Sequence, residues 1–360
     1  MAAIGSDESN AYTGEDMTVY VENIPSNEVD NWAKIQAERF ENAVIRGFHT
    51  ELEAVYEEKN MSLTQDGNKA LERLMAALFP HHPYGTQTVV GSQEHLKNPS
   101  ITNIKNYYKQ WYVPNNMAIC MSGDLNPDSV IVILDKYFGR LQPNPELPKL
   151  QFEPEKPITA PVVEEVLGVE AEQILIGWRF PGAASRESEL LQLTEQVLCN
   201  GTAGLIDLNV SQQQRLLEAG VYAGLMADYS FLLMAANPKE GQSLEEARDI
   251  LLGEVDKLKR GDFDENLLEA AVNNFKLGLQ AKLESNEARA DWLVESFING
   301  SSWKDEVEGI GRLGKITKQQ IVDFANANLK NDNYAVVYKR QGKDPNEKKI
   351  DKPEITPIFT

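Results

Sequence analysis

Along the first 140 residues the spacing of apolar positions changes period several times. Residues 17–23, MTVYVEN, alternate apolar and polar side chains, which predicts a half-buried strand. Val29, Trp32, Ile35 and Phe40 then recur near helical spacing, so 26–43 is expected to be a helix with Ser26 or Asn27 at its cap. A second helix is expected over 48–60, and DGNKALERLMAALFP is a third that Pro80 ends. HHPYG is a turn. SITNIKNYYKQWY is a helix that Ser100 can cap, NNMAICMSGD a strand of the buried type, and NPDSVIVILDKYFGRL a further helix.

Residues 141–161 hold six prolines, enough to make a semi-rigid linker and the best domain boundary in the chain. Beyond it, EEVLGVEAEQILIGWRFPG is strand-rich, and VYAGLMADYSFLLMAANPK contains two strands. SRESELLQLTEQVLC and DLNVSQQQRLLEAG are expected to be helical. SLEEARDILLGEVDKLKRG and DENLLEAAVNNFKLGLQAKLES are long amphipathic helices, and ITKQQIVDFANANLKNDNYAVVYKRQG closes with helix, turn and strand.

The two halves follow one plan. The block beginning at Ile101 and the block beginning at Ile316 both run from a helix to an Asn-led strand, with Asn116 and Asn333 at near-equal offsets. Upstream, SNAYTGEDMTVYVENIPSNEVDNWAKIQAERF and GVYAGLMADYSFLLMAANPKEGQSLEEARDILL match in the order strand, strand, helix. The second copy has about fifty residues between the linker and its first matched strand, whereas Met1 falls almost at that strand in the first copy. The first domain is therefore expected to lack its front end.

Composition adds bounds. The net charge of −20 opposes nucleic acid and anionic membranes, is compatible with basic peptides, and suits a soluble surface. No apolar run approaches the length of a membrane span. Cys120 and Cys199 lie in apolar contexts and are expected to be buried thiols, not a disulfide framework.

Four segments carry a family resemblance: IGSDESNAYTGEDMTVYVENIP, FHTELEAVYEEKN, FPHHPYGTQTVVGSQEHLKN and, most specifically, YYKQWYVPNNMAICMSGDLNPDSVIVILDKYFG. They resemble the pitrilysin/insulinase family of zinc metallopeptidases, the inverted H-x-x-E-H zincins. The resemblance covers nearly all of 1–142 and, more weakly, 162–342. It implies an α+β fold of two related domains of the LuxS/insulinase-like metalloenzyme type, each a mainly antiparallel sheet packed with helices, the first truncated on its N-terminal side. The implied division is 1–145, the remainder of the zinc-site domain; 146–161, the linker; 162–345, the homologous second domain; and 346–360, a C-terminal tail.

The resemblance places Glu58 at the position of the family's third zinc ligand and Glu51, seven residues earlier, at that of an acid orienting the ligands. By residue type alone, this Glu-rich helix is an ordinary solvated face. The histidine pair and general-base glutamate of H-x-x-E-H are absent: the four histidines are His49, His81, His82 and His95, none suitably spaced. Family order puts the motif before Met1. The chain is thus expected to be an inactive fragment of a zinc endopeptidase, itself without zinc, whose partners are peptide substrates, the missing N-terminal segment and a second half or partner subunit. The alternative is a non-catalytic homologue that serves as a chamber wall or assembly subunit. Asn10, Ala11 and Tyr12 resemble the family's substrate-binding edge strand, to which an extended peptide adds. Arg215 and Tyr222, seven apart, resemble its substrate and oxyanion pair. Lying in the same half as Glu58, they are expected to be structural unless a second copy brings them in trans.

Overall fold

The structure, a computed structural model of the chain, describes residues 1–97 and 99–344; the tail expected at 346–360 lies outside the described residues. The N-terminal half contains strands β1 (Glu8–Thr13) and β2 (Thr18–Asn23). Seven helices follow: α1 (Val29–Glu41), α2 (Phe48–Thr64), α3 (Asp66–Leu78), α4 (Pro83–Thr86), α5 (Gln93–Lys97), α6 (Ile101–Trp111) and α7 (Pro127–Phe138). The C-terminal half runs β3 (Val162–Gly168), β4 (Gln173–Pro181), α8 (Glu187–Leu198), β5 (Glu218–Leu225), β6 (Tyr229–Asn237) and α9 (Leu244–Arg260). It closes with α10 (Asn266–Glu284), α11 (Asn286–Ile298), α12 (Trp303–Leu313), α13 (Lys318–Asn328) and β7 (Ala335–Gln341). The chain is α+β. The two halves repeat the order strand, strand, helix as β1–β2–α1 and β5–β6–α9.

The C-terminal sheet has the strand order β3-β7-β4-β6-β5 and is antiparallel except at β3–β7. Its central strands are buried on both faces, which is why QILIGWRFP and the first four residues of β7, AVVY, are nearly continuous apolar runs. One face, with Ile174, Ile176, Trp178, Leu232, Met234 and Val336, packs against Leu191, Leu198, Leu251, Leu258 and Ile321 of α8, α9 and α13. The other face is closed by α3 from the N-terminal half. Ala70, Leu74, Leu78 and the following Phe79 meet Leu175, Phe231, Ala335 and Val337. Each fully buried leucine there contributes about 1.5–3 kcal/mol. Gly177 permits the approach: a Cβ on it would lie 2.9 Å from Leu78 Cδ1.

The exchange is reciprocal. Helix α11 of the C-terminal half reaches the N-terminal half, where Arg289 Nε donates to Ser122 Oγ at 2.8 Å. Its Asp291 and Glu295 act electrostatically on Tyr12 of β1.

Three expectations are corrected. The strand expected in NNMAICMSGD does not form a ladder; Met117 is extended (φ −131°, ψ 148°), but residues 117–122 pair with no strand among the described residues. The local resemblance to the other half is real: Asn116 Nδ2 donates to Trp111 O at 3.0 Å, and Asn333 Nδ2 to Asn328 O at 2.7 Å, each closing the preceding helix. What differs is the surroundings. β7 lies between β3 and β4, while the N-terminal half has only the β1–β2 pair among the described residues, and an extended segment without neighbours satisfies no ladder. Amide exchange should therefore be at least about a hundredfold faster across 117–122 than across β7. Equal protection measured by hydrogen–deuterium exchange mass spectrometry would contradict this.

The helix expected over 207–220 is reduced to Asp207–Ser211, with a π-helical pattern. Gln214 adopts φ +51°, a conformation that ends a helix, and Leu217 N already bonds to Asn237 O at the start of the β5 ladder. Burial of Leu216 and pairing of β5 outweigh local helical preference. The two thiols, finally, are half-buried, not fully buried, and both are free.

Candidate functional site

Helix α2 begins at Gly47, whose φ of +63° is an accessible turn geometry for glycine. Tyr56 and Lys59 form its buried face. Lys59 Nζ meets Glu72 Oε1 of α3 at 2.9 Å, and Gln93 Nε2 donates to Asn60 Oδ1 at 2.6 Å, tying α2 to α5. This packing turns Glu51 and Glu58 outward. Two helical turns apart, they share one face, both exposed, and neither carboxylate enters an ion pair among the described residues. No three His, Cys, Asp or Glu side chains converge as metal ligands among those residues. The described residues thus do not by themselves fit a zinc ion, for which a lone carboxylate is a weak ligand.

Among the described residues β1 pairs only with β2, placing Asn10, Ala11 and Tyr12 opposite Val21, Tyr20 and Val19 and leaving its other edge open. All three residues are exposed. The Ala11 N–H is taken by Asn10 Oδ1 at 2.9 Å, a local bond that an added strand would displace. Burial, then Asp291 and Glu295, push the Tyr12 hydroxyl pKa up. Arg215 is turned away from this edge: its Nη1 lies 3.4 Å from Glu254 Oε1, a buried carboxylate also held by Lys257 and Asn209. Tyr222 is exposed on the edge strand β5, its ring against Phe231. The side-chain contacts of both residues stay within the C-terminal half.

Sequence reasoning missed a polar junction around HHPYG and the proline-rich segment. His82 is fully buried; its Nδ1 accepts from Tyr84 N at 3.3 Å, capping α4, and its Nε2 faces Asp228 Oδ2 at 3.2 Å. With the Nδ1 lone pair engaged by an amide, the ring is neutral and carries its proton on Nε2. Tyr84 Oη donates to Asp16 at 2.7 Å and accepts from Asp228 N at 3.1 Å; burial raises its pKa. Glu155, from the middle of the proline-rich segment, is also buried. It accepts from His81 N and His82 N at 2.8 Å each and lies 3.7 Å from Arg179 Nη1. The segment is thus stitched to both halves. The available signal was an acid placed between Pro154 and Pro157, and a histidine immediately before a helix-starting proline.

A family profile described as "Peptidase M16 inactive domain" matches residues 100–275. A zinc protease, PqqE, of Helicobacter pylori is 23% identical over 307 residues, covering 81% of this chain and 68% of that protein. The crystal structure of a protease from Helicobacter pylori superposes with a TM-score of 0.87 at 21% identity, over 94% of this chain and 83% of that one. Residues 100–275 thus match an M16 peptidase domain, and the chain is similar to a zinc protease over most of its length. This agrees with the pitrilysin/insulinase resemblance. Another similar protein, the mitochondrial-processing peptidase subunit beta of Saccharomyces cerevisiae, is 20% identical over 353 residues, covering 91% of this chain and 74% of that protein.

Proposed function

We propose that this chain is the part of an M16 zinc endopeptidase that carries the third metal ligand, Glu58, and holds an extended peptide along β1, while the histidine pair comes from outside these 360 residues. Glu51 orients the ligands beside Glu58. We further propose that 1–145 and 162–345 are two copies of one unit joined by 146–161. The matched hydrogen bonds of Asn116 and Asn333 and the reciprocal placement of α3 and α11 support that division.

The observation that carries the reading is the exposed, ion-pair-free Glu51/Glu58 face of α2, in a chain similar to named zinc proteases. The open edge of β1 is compatible with peptide held as an added strand, its backbone supplying affinity and its side chains little discrimination. Arg215 is bound to Glu254, so it and Tyr222 are proposed as structural in this half.

A second reading is supported by the profile match, which is to a domain described as inactive. In it the chain is a wall or assembly subunit that cuts nothing. Zinc content and peptide hydrolysis of the full translation product of the gene separate the two. Under the first reading Glu58→Gln should lower zinc affinity by at least about a hundredfold, and Glu51→Gln by about 10–100-fold. A product that holds no zinc supports the wall; tight zinc unaffected by Glu58→Gln removes Glu58 from the site.

A further inference from the structure

Beside the polar junction lies a cavity of about 470 Å³, built where α4, the proline-rich segment, β4 and the β5–β6 turn meet. It is separate from α2, and what it does is independent of the zinc reading. Leu150, Phe152 and Tyr229 supply apolar wall, and His82, Arg179 and Asp228 the polar part. The walls are held in place. Phe152 and Tyr229 pack edge-on against the buried His82 ring, at centroid distances of 4.6 and 5.3 Å, and Tyr229 Oη accepts from Glu155 N at 3.0 Å.

The charges decide what fits. Arg179 is offset by the buried Glu155, and its Nη atoms are committed to Leu78 O and Lys156 O. His82 is neutral, for the tautomer reason given above. Among the described residues the Asp228 carboxylate receives only the neutral His82 N–H opposite its Oδ2, and its side chain is 54% exposed. A second carboxylate, Asp16, sits beyond it, bonded to Tyr84 Oη and Ala227 N. The lining therefore retains negative charge at an aromatic and aliphatic wall, in a chain of net charge −20 that attracts cations from a distance.

We propose that this cavity binds a basic side chain, lysine or arginine, of a peptide. The aliphatic stem lies along Leu150 and Phe152, and the cation reaches Asp228 with an aromatic face beside it. The volume suits one long side chain and part of its backbone, not a folded domain.

The test uses two fluorescently labelled peptides that differ only in one arginine replaced by citrulline, which keeps shape and removes charge. Fluorescence anisotropy with the 360-residue chain should show the arginine peptide bound about tenfold more tightly. That preference should shrink as salt rises. Asp228→Asn should abolish the preference, and Asp228→Glu should keep it. Amide chemical shifts of Asp228 and Tyr229 should move with N-acetyl-arginine methylamide. Equal binding of the two peptides by the unaltered protein overturns the proposal, as do shifts confined to another surface. The comparison on unaltered protein stands even where a substitution impairs folding.

Discussion

Replacing Lys339 with methionine is expected to destabilise the protein by about 3–5 kcal/mol. Lys339 and Asp66 form an ion pair at 3.0 Å with side chains 1% and 2% exposed. The ammonium also donates to Glu170 O and Ala171 O, and Asp66 Oδ2 accepts from Glu170 N at 2.7 Å. Every partner is thus supplied by the N-terminus of α3, the β3–β4 turn or β7. Removing the cation leaves the buried carboxylate with only the partly exposed Lys69, 3.3 Å from its Oδ1, as counter-charge, which costs more than the pair contributed. The double replacement Asp66→Leu with Lys339→Met should recover part of the loss, because no uncompensated charge remains. Gly168 belongs to the same construction: a Cβ there would overlap the Asp66 carboxylate.

The Asp66 pair has a defined pH signature. Burial alone would raise the carboxyl pKa, but the Glu170 N–H and Lys339 outweigh it, so the folded value lies below the ordinary one. A depressed folded pKa means the stabilisation is complete above the unfolded value of about 3.9 and is lost as pH falls through the folded one. Chemical denaturation as a function of pH checks both sign and size. A Lys339→Met midpoint equal to that of the unaltered protein would refute the assignment.

Glu155→Gln is the second large effect expected, about 3–5 kcal/mol by the same buried-pair argument. The substitution leaves Arg179 without its counter-charge; the glutamine carbonyl can still accept from His81 N and His82 N, but its NH2 donor replaces the oxygen that faces Arg179 Nη1 and His81 Nδ1. Burial opposes ionisation of Glu155; the His81 and His82 N–H groups, the His81 ring and Arg179 reverse that and hold its pKa below the usual carboxylate range. The sign is again acid-labile: the contribution is present above about pH 4.3 and lost as pH falls further. Thermal midpoints from pH 3 to 7 should show a shallower acid decline in Glu155→Gln than in the unaltered protein. Because Glu155 tethers the proline-rich segment, proteolysis near 150–158 should also accelerate.

Periodicity along the chain was enough to determine most elements, since a helix or strand declares itself through its own apolar spacing. The strand–strand–helix order, the helices over 48–64 and 101–111, and the buried β4 and β7 were all legible in this way. So was the placement of Glu51 and Glu58 on one face of α2, a consequence of 3.6 residues per turn. The resemblance, not the periodicity, attached a metal role to that face.

Partnership between distant segments was decided only in three dimensions. NNMAICMSGD has strand-like residues, yet forms no ladder, because pairing depends on which backbone lies beside it. The apolar stripe of α3 was visible in the sequence, but its docking on the sheet of the other half was not, since Ala70, Leu74 and Leu78 fit any apolar surface of suitable shape. The stretch from 207 to 220 had local helical preference that β5 pairing overrode. Glu155, Asp66, Lys339 and His82 looked like ordinary polar positions; each side chain is buried because polar partners 73 to 273 residues away in the chain converge on it. Local spacing specifies which face of an element is apolar, whereas burial of a charge depends on partners that only the folded chain brings into contact.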